Sequence, residues 1–211
     1  MAIPVFGQIH GLSFLVPATT GILRFSKLDK AMRVLAVLCV LACINIGAQL
    51  LVGLWGLKNY FVSNFYRIVE VSLFCAVYFF SVGSKAVRNV LKVLAVLFAV
   101  IWMVNTIWYL HPDHINSEMG MMSRIFLIVM SVVTLHAAVK DEKSHLLERP
   151  VFWVAMGVLL YASGTLLVLG LSNHLLQLGK PYFDVAWHIN WSLLIIANLL
   201  YTKGMLCKSQ A

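Results

Sequence analysis

Two ionisable residues, Arg67 and Glu70, stand one helical turn apart inside the apolar stretch Phe61-Val-Ser-Asn-Phe-Tyr-Arg-Ile-Val-Glu-Val-Ser-Leu-Phe74. An arginine can grip a carboxylate or phosphate through two parallel N–H donors, and a nearby glutamate can hold its guanidinium in place. A full charge at the centre of a membrane helix costs about 2.5–3.5 kcal/mol even on lenient insertion scales, so such residues face a bundle interior or a cavity, or pair with one another. The pair is therefore the first candidate for a ligand site. The competing reading is an intrahelical ion pair of purely structural value.

The elements that must position these side chains are membrane helices. Of the 211 residues, 61% are hydrophobic and only 11% charged, against about 25% charged in soluble domains. Apolar runs of about 20 residues match the length needed to cross a hydrocarbon core of roughly 30 Å. Seven spans are expected, near 3–23, 34–55, 60–82, 90–110, 121–139, 151–171 and 185–203, separated by turn signals such as Gly83-Ser-Lys and Gly179-Lys-Pro. The expected fold is an all-α bundle of seven transmembrane helices, a single transmembrane domain over 1–211. These spans leave no room within the chain for a soluble catalytic or DNA-binding domain. Pro17 is expected to kink or loosen the inner end of the first helix. The N-terminal Met1-Ala-Ile-Pro-Val-Phe-Gly7 lacks a basic region, so the first apolar segment reads as a retained span.

Orientation follows from the loops. Twelve basic residues, among them Arg24, Lys30, Lys85, Arg88, Lys140 and Arg149, fall on one side; the other side holds Lys58, Lys180 and, at most, Arg124 as a third. That asymmetry predicts an N-terminus outside and a C-terminus in the cytoplasm; the expected residence is the cell inner membrane. The net charge of +8 is thereby explained by orientation, and nucleic acid is not an expected partner. The four cysteines lie in spans or near the C-terminal end with no C-x-x-C spacing, so neither a disulfide nor a zinc site is expected.

With this topology, Arg67 and Glu70 lie about 10–14 Å below the outer end of the third span. Other polar and aromatic residues share that outer half: His10 on the first span, Asn45 and Gln49 on the second, Asn105 on the fourth, and Trp187, His188 and Trp191 on the last. Each has a modest explanation, since tryptophans form interfacial belts and amides bond neighbouring helices. Their common depth is what an outward-facing pocket would require.

Enzymatic chemistry finds little support. No H-E-x-x-H, G-x-S-x-G or Walker loop occurs. His111-Pro-Asp-His114, with Glu118 beyond it, has metal-ligand residue types in what reads as a solvated loop, and His10 with His188 could bracket a haem iron only with further support. Lys203 sits too near the inner end of its span to carry a retinal Schiff base. Asp184-Val-Ala-Trp-His188 resembles the last-helix histidine motif of the alkaline ceramidase and adiponectin-receptor superfamily, seven-helix zinc hydrolases and relatives. The matching ligands on the second and third helices of that pattern are missing, so no metal or other cofactor is expected.

A wider resemblance covers the last third: Pro150-Val-Phe-Trp-Val-Ala-Met-Gly-Val-Leu-Leu-Tyr-Ala-Ser-Gly-Thr165, Trp187-His-Ile-Asn-Trp191 and Ile196-Ala-Asn-Leu-Leu-Tyr201, with Tyr66-Arg-Ile-Val-Glu70 more loosely. These segments look like a group of seven-helix membrane proteins common in Bacteroidota that has no assigned activity. The expectation is a membrane sensor that binds a small molecule in an outward-facing pocket and signals to a separate cytoplasmic or membrane partner. The alternatives are an alternating-access transporter for a small solute and a metal- or haem-dependent enzyme.

Overall fold

The computed structural model describes residues 5–56, 60–109, 117–140 and 145–207. Among these residues the regular structure is entirely helical: α1 (Val5–Ser13), α2 (Leu15–Leu23), α3 (Lys30–Leu54), α4 (Tyr60–Ser81), α5 (Lys85–Tyr109), α6 (Ser117–Lys140), α7 (Pro150–Leu178) and α8 (Lys180–Leu206), with short 3-10 turns at Phe25–Lys27 and Leu146–Glu148. Six of these helices, α3 to α8, are long and apolar enough to cross a membrane. Large apolar side chains cover the outside of the bundle as well as its core: Leu54, Val93, Ile107 and Leu167 are exposed while Leu35, Val71, Leu127 and Val158 are fully buried. A helix apolar on all sides suits a lipid surround, because an aqueous one would leave the outer face unsatisfied.

The first expected span departs from the others. It is two short helices that break at Phe14 rather than one. Pro17 accounts for the position: it has no N–H to offer the Ser13 carbonyl four residues earlier, and its ring crowds that carbonyl. The break therefore falls a full turn ahead of the proline. Asn198 Nδ2 on α8 donates to Ser13 Oγ at 2.8 Å and ties the broken point to the bundle.

Most helices run past the apolar windows that the sequence marks. α7 has 29 residues, about 43 Å at 1.5 Å per residue, which exceeds a 30 Å hydrocarbon layer and requires tilt or projection beyond it. Gly179 turns α7 back into α8 at φ 120°, a conformation that L side chains rarely adopt. Asp29 starts α3 by accepting the Met32 N–H at 2.8 Å, and Pro150 occupies the opening turn of α7.

Close packing rests on glycine where helices meet. A Cβ on Gly157 of α7 would stand 2.7 Å from the Tyr201 ring and 3.2 Å from the Ala197 carbonyl oxygen of α8. One on Gly21 of α2 would stand 2.6 Å from Ala36 Cβ of α3. Without a strong hydrophobic drive between helices in lipid, such small-residue contacts carry much of the association through dispersion. We expect Gly157→Val to lower the thermal denaturation midpoint in detergent, with an overpacking cost of about 1–3 kcal/mol. Gly47→Val, where nothing lies within 4 Å of the added Cβ, should leave it nearly unchanged; equal effects would count against the packing account.

Candidate functional site

Glu70 is buried on α4, and its partner is an arginine from another helix. Arg124 of α6 approaches its carboxylate in a fork, with Nη2 3.0 Å from Oε2 and Nη1 3.1 Å from Oε1. Tyr161 of α7 closes the triangle: its hydroxyl donates to Glu70 Oε1 and accepts from Arg124 Nη1. The Arg124 guanidinium carbon also lies 4.8 Å from the centre of the Tyr161 ring. Three helices thus share one carboxylate, one guanidinium and one hydroxyl in a buried, low-dielectric place where each interaction is stronger than in water.

Arg67 reaches the same contact between α4 and α6. Its Nη2 would lie 3.2 Å from a Cβ on Gly120, so the missing side chain of Gly120 makes room for the guanidinium. Gly120 and Arg124 are one turn apart on α6, and both guanidinium groups therefore gather on the face of α6 that meets α4. Arg67 and Glu70 both point into the bundle, as their spacing suggests, while Glu70 forms an ion pair across to Arg124 of α6.

Arg124 corrects the sequence-based assignment. Counted among the outer-side charges in the orientation argument, it is instead a largely buried partner of Glu70 inside the helical array. The signal was available: Arg124 lies within the expected fifth span, and the energetic rule applied to Arg67 applies equally to it. Tyr161 gives no comparable signal, because a tyrosine in the middle of a membrane helix is unremarkable without knowledge of its neighbours.

The remaining candidates form a second group. His10 on α1 stacks on Trp191 of α8, with ring centres 6.1 Å apart and planes at 18°, and its Nε2 is buried without a hydrogen-bond partner. His188 meets the same indole edge-on at 5.4 Å, and Trp187 lies 6.4 Å from it. Trp191 thus contacts both histidines. α1 packs chiefly on α8 and α2, whereas α4 packs on α3, α5, α6 and α7, so the candidates divide between an ionic group and an imidazole–indole group. Asn45 and Gln49 are half-buried on α3, and Asn45 Oδ1 is buried without a hydrogen-bond partner. Asn105 is half-buried on α5; nearby, Trp102 Nε1 donates to the Asn64 carbonyl of α4 at 3.0 Å and joins the two helices. His111, Asp113 and His114 lie outside the described residues. Among the described ones, no three His, Cys, Asp or Glu side chains gather as a metal site.

The opposite end of the bundle is basic. There Arg24 donates to Leu206 O at 3.3 Å, Arg88 to Val82 O at 2.6 Å and Arg149 to Ala138 O at 3.0 Å. Each arginine supplies donors to carbonyls at the end of α8, α4 or α6, where the helix itself provides none. A cavity of about 900 Å³ opens at this end among α3 to α7. Between it and the ionic group lie buried layers that include Phe74, Leu127, Met130 and Tyr78, whose hydroxyl is 2.7 Å from Ser131 Oγ. No family model, curated protein or solved structure matches the chain.

The Glu70–Arg124 pair invites a charge cycle. Glu70→Leu alone leaves Arg124 buried without its carboxylate and should cost about 3–5 kcal/mol of stability. Glu70→Leu with Arg124→Met removes both charges and should restore most of that loss. Denaturation midpoints of the four proteins in one detergent provide the check, and additive losses would show that the charges do not act as a pair.

Proposed function

We propose that the chain is a receptor-like sensor of the cell inner membrane. Its N-terminus is outside, its C-terminus cytoplasmic, and the α1–α2 pair serves as the seventh span. It binds a small anionic ligand between its helices and passes the change to a separate cytoplasmic or membrane partner. The observation that carries this reading is the network of Glu70, Arg124 and Tyr161 joining three helices, with Arg67 beside it. A buried ion pair is a poor stabiliser, because desolvation offsets most of its attraction. It makes a good latch: an entering carboxylate or phosphate can take the place of Glu70 against the two guanidinium groups.

The magnitudes are compatible. Driving such a latch from about 1% open to 99% open requires the ligand to favour the open state by about 5.5 kcal/mol. Hydrogen bonds to charged groups contribute about 1.5–3 kcal/mol each, so two or three on Arg67 and Arg124 are enough. In this reading Arg67 engages the anionic group and Glu70 is the displaced partner. The imidazole–indole group of His10, Trp187, His188 and Trp191 belongs to α1 and α8 and is not part of this latch. The resemblance to the seven-helix group of Bacteroidota agrees with the topology and adds no activity.

Transport is the second reading, and the cavity at the basic end favours it. A cavity on one side and an ionic closure on the other are the parts an alternating-access cycle needs. Purified protein heated with a panel of small carboxylates and phosphoesters tests the leading reading. At least one compound class should raise the denaturation midpoint of the wild type and fail to do so for Arg67→Gln. An Arg67→Gln protein that keeps both its abundance and its full response sinks the proposal. Flux of the labelled compound into liposomes would favour transport, whereas binding without net movement favours a receptor.

A further inference from the structure

The cavity at the basic end has a construction that hydration of a helix end does not require. Among the described residues, Lys30 of α3, Lys140 of α6 and Arg149 at the start of α7 contribute three cations to its lining, and Asp29 contributes a carboxylate. That carboxylate is already engaged by the Met32 N–H at 2.8 Å. Lys30 is exposed, and its Nζ lies 4.2 Å from the centre of the Phe80 ring, which also lines the cavity. The helices α3, α5 and α7 all begin at this end, and residues of their opening turns line the space. Their N-terminal N–H groups are donors facing this end, while the C-terminal turns of α4 and α6, which also line the space, oppose their dipoles, so the side chains carry the positive potential.

We propose that this cavity is a binding site for a phosphoester, with Lys30 and Lys140 holding the phosphate. Lysine is a phosphate binder that acts as a compact point charge. The volume of about 900 Å³ lies within the range of small-molecule sites, about 300–1,000 Å³, and far exceeds the needs of an inorganic phosphate ion. The phosphate is therefore carried on a larger body, and the apolar part of the lining, with Met32, Phe80 and Val151, receives that body. Arg149 has a structural duty at the Ala138 carbonyl and forms the wall rather than the grip. The chemistry is shared by two sources, a soluble phosphoester and the headgroup of an anionic lipid. The site is independent of the Glu70–Arg124 latch and stands or falls separately.

The test compares two double variants of equal charge, Lys30→Gln with Lys140→Gln inside the cavity, and Lys27→Gln with Lys85→Gln outside its lining. The soluble probe is glycerol 3-phosphate, followed by thermal denaturation, with glycerol as its uncharged control. The lipid probe is phosphatidylglycerol in phosphatidylcholine nanodiscs, followed by native mass spectrometry of the released protein. The cavity variant should weaken binding of the effective probe on the order of tenfold for each lysine contact of about 1.4 kcal/mol lost, and the outer variant less than about twofold. A response to glycerol 3-phosphate with that pattern supports the site and identifies a soluble ligand. Selective retention of phosphatidylglycerol with the same pattern supports it and identifies a lipid. Equal losses in the two variants, or no response to either probe, overturn the proposal.

Discussion

A carboxylate held where water cannot reach it governs the arrangement of this bundle. Glu70 is 7% exposed, and a charge so placed needs a counter-charge whose position is controlled from another element. Arg124 meets that requirement from α6 and Tyr161 completes it from α7. The relative heights of α4, α6 and α7 are thereby constrained: a slip of one residue would move one group by about 1.5 Å and break the fork. Below the ionic triangle, Tyr78 and Ser131 repeat the link between α4 and α6 in neutral form. The two links advance together along both helices, as expected for neighbours running in the same direction.

The long helices were readable from sequence because lipid imposes a simple condition, continuous apolar character over about 20 residues. Their ends were less readable. α7 continues through Ser172, Asn173 and His174 to Leu178, because helical hydrogen bonding persists after hydropathy falls and Gly179 supplies the stop. The first segment has the right composition and the wrong continuity. Pro17 is visible in the sequence, yet the break appears one turn earlier, where the carbonyl loses its donor.

The candidate site was legible in part, and for a definable reason. The cost of a buried charge depends on depth, which hydropathy reveals, so Arg67 and Glu70 stand out. The identity of a partner depends on helix–helix contact, which one sequence does not encode in any periodic signal. A shared depth likewise does not ensure a shared pocket. His10 and Trp191 do meet, across α1 and α8, but their helices pack on a different set of neighbours from the ionic group. Depth is one coordinate; helix order around the bundle supplies the others.

The arginines at the basic end carry a consequence for sequence drift. As topological signals, lysine and arginine count alike, since both resist translocation. As structural parts they differ here. Arg24, Arg88 and Arg149 donate to carbonyls at three helix ends, a task for a rigid, multiply donating plane. Lys27 and Lys85 are exposed charges near the same boundary. Homologous chains should therefore exchange lysine for arginine freely at the exposed positions and resist the reverse exchange at the capping ones, so that one charge rule conceals two rates of substitution.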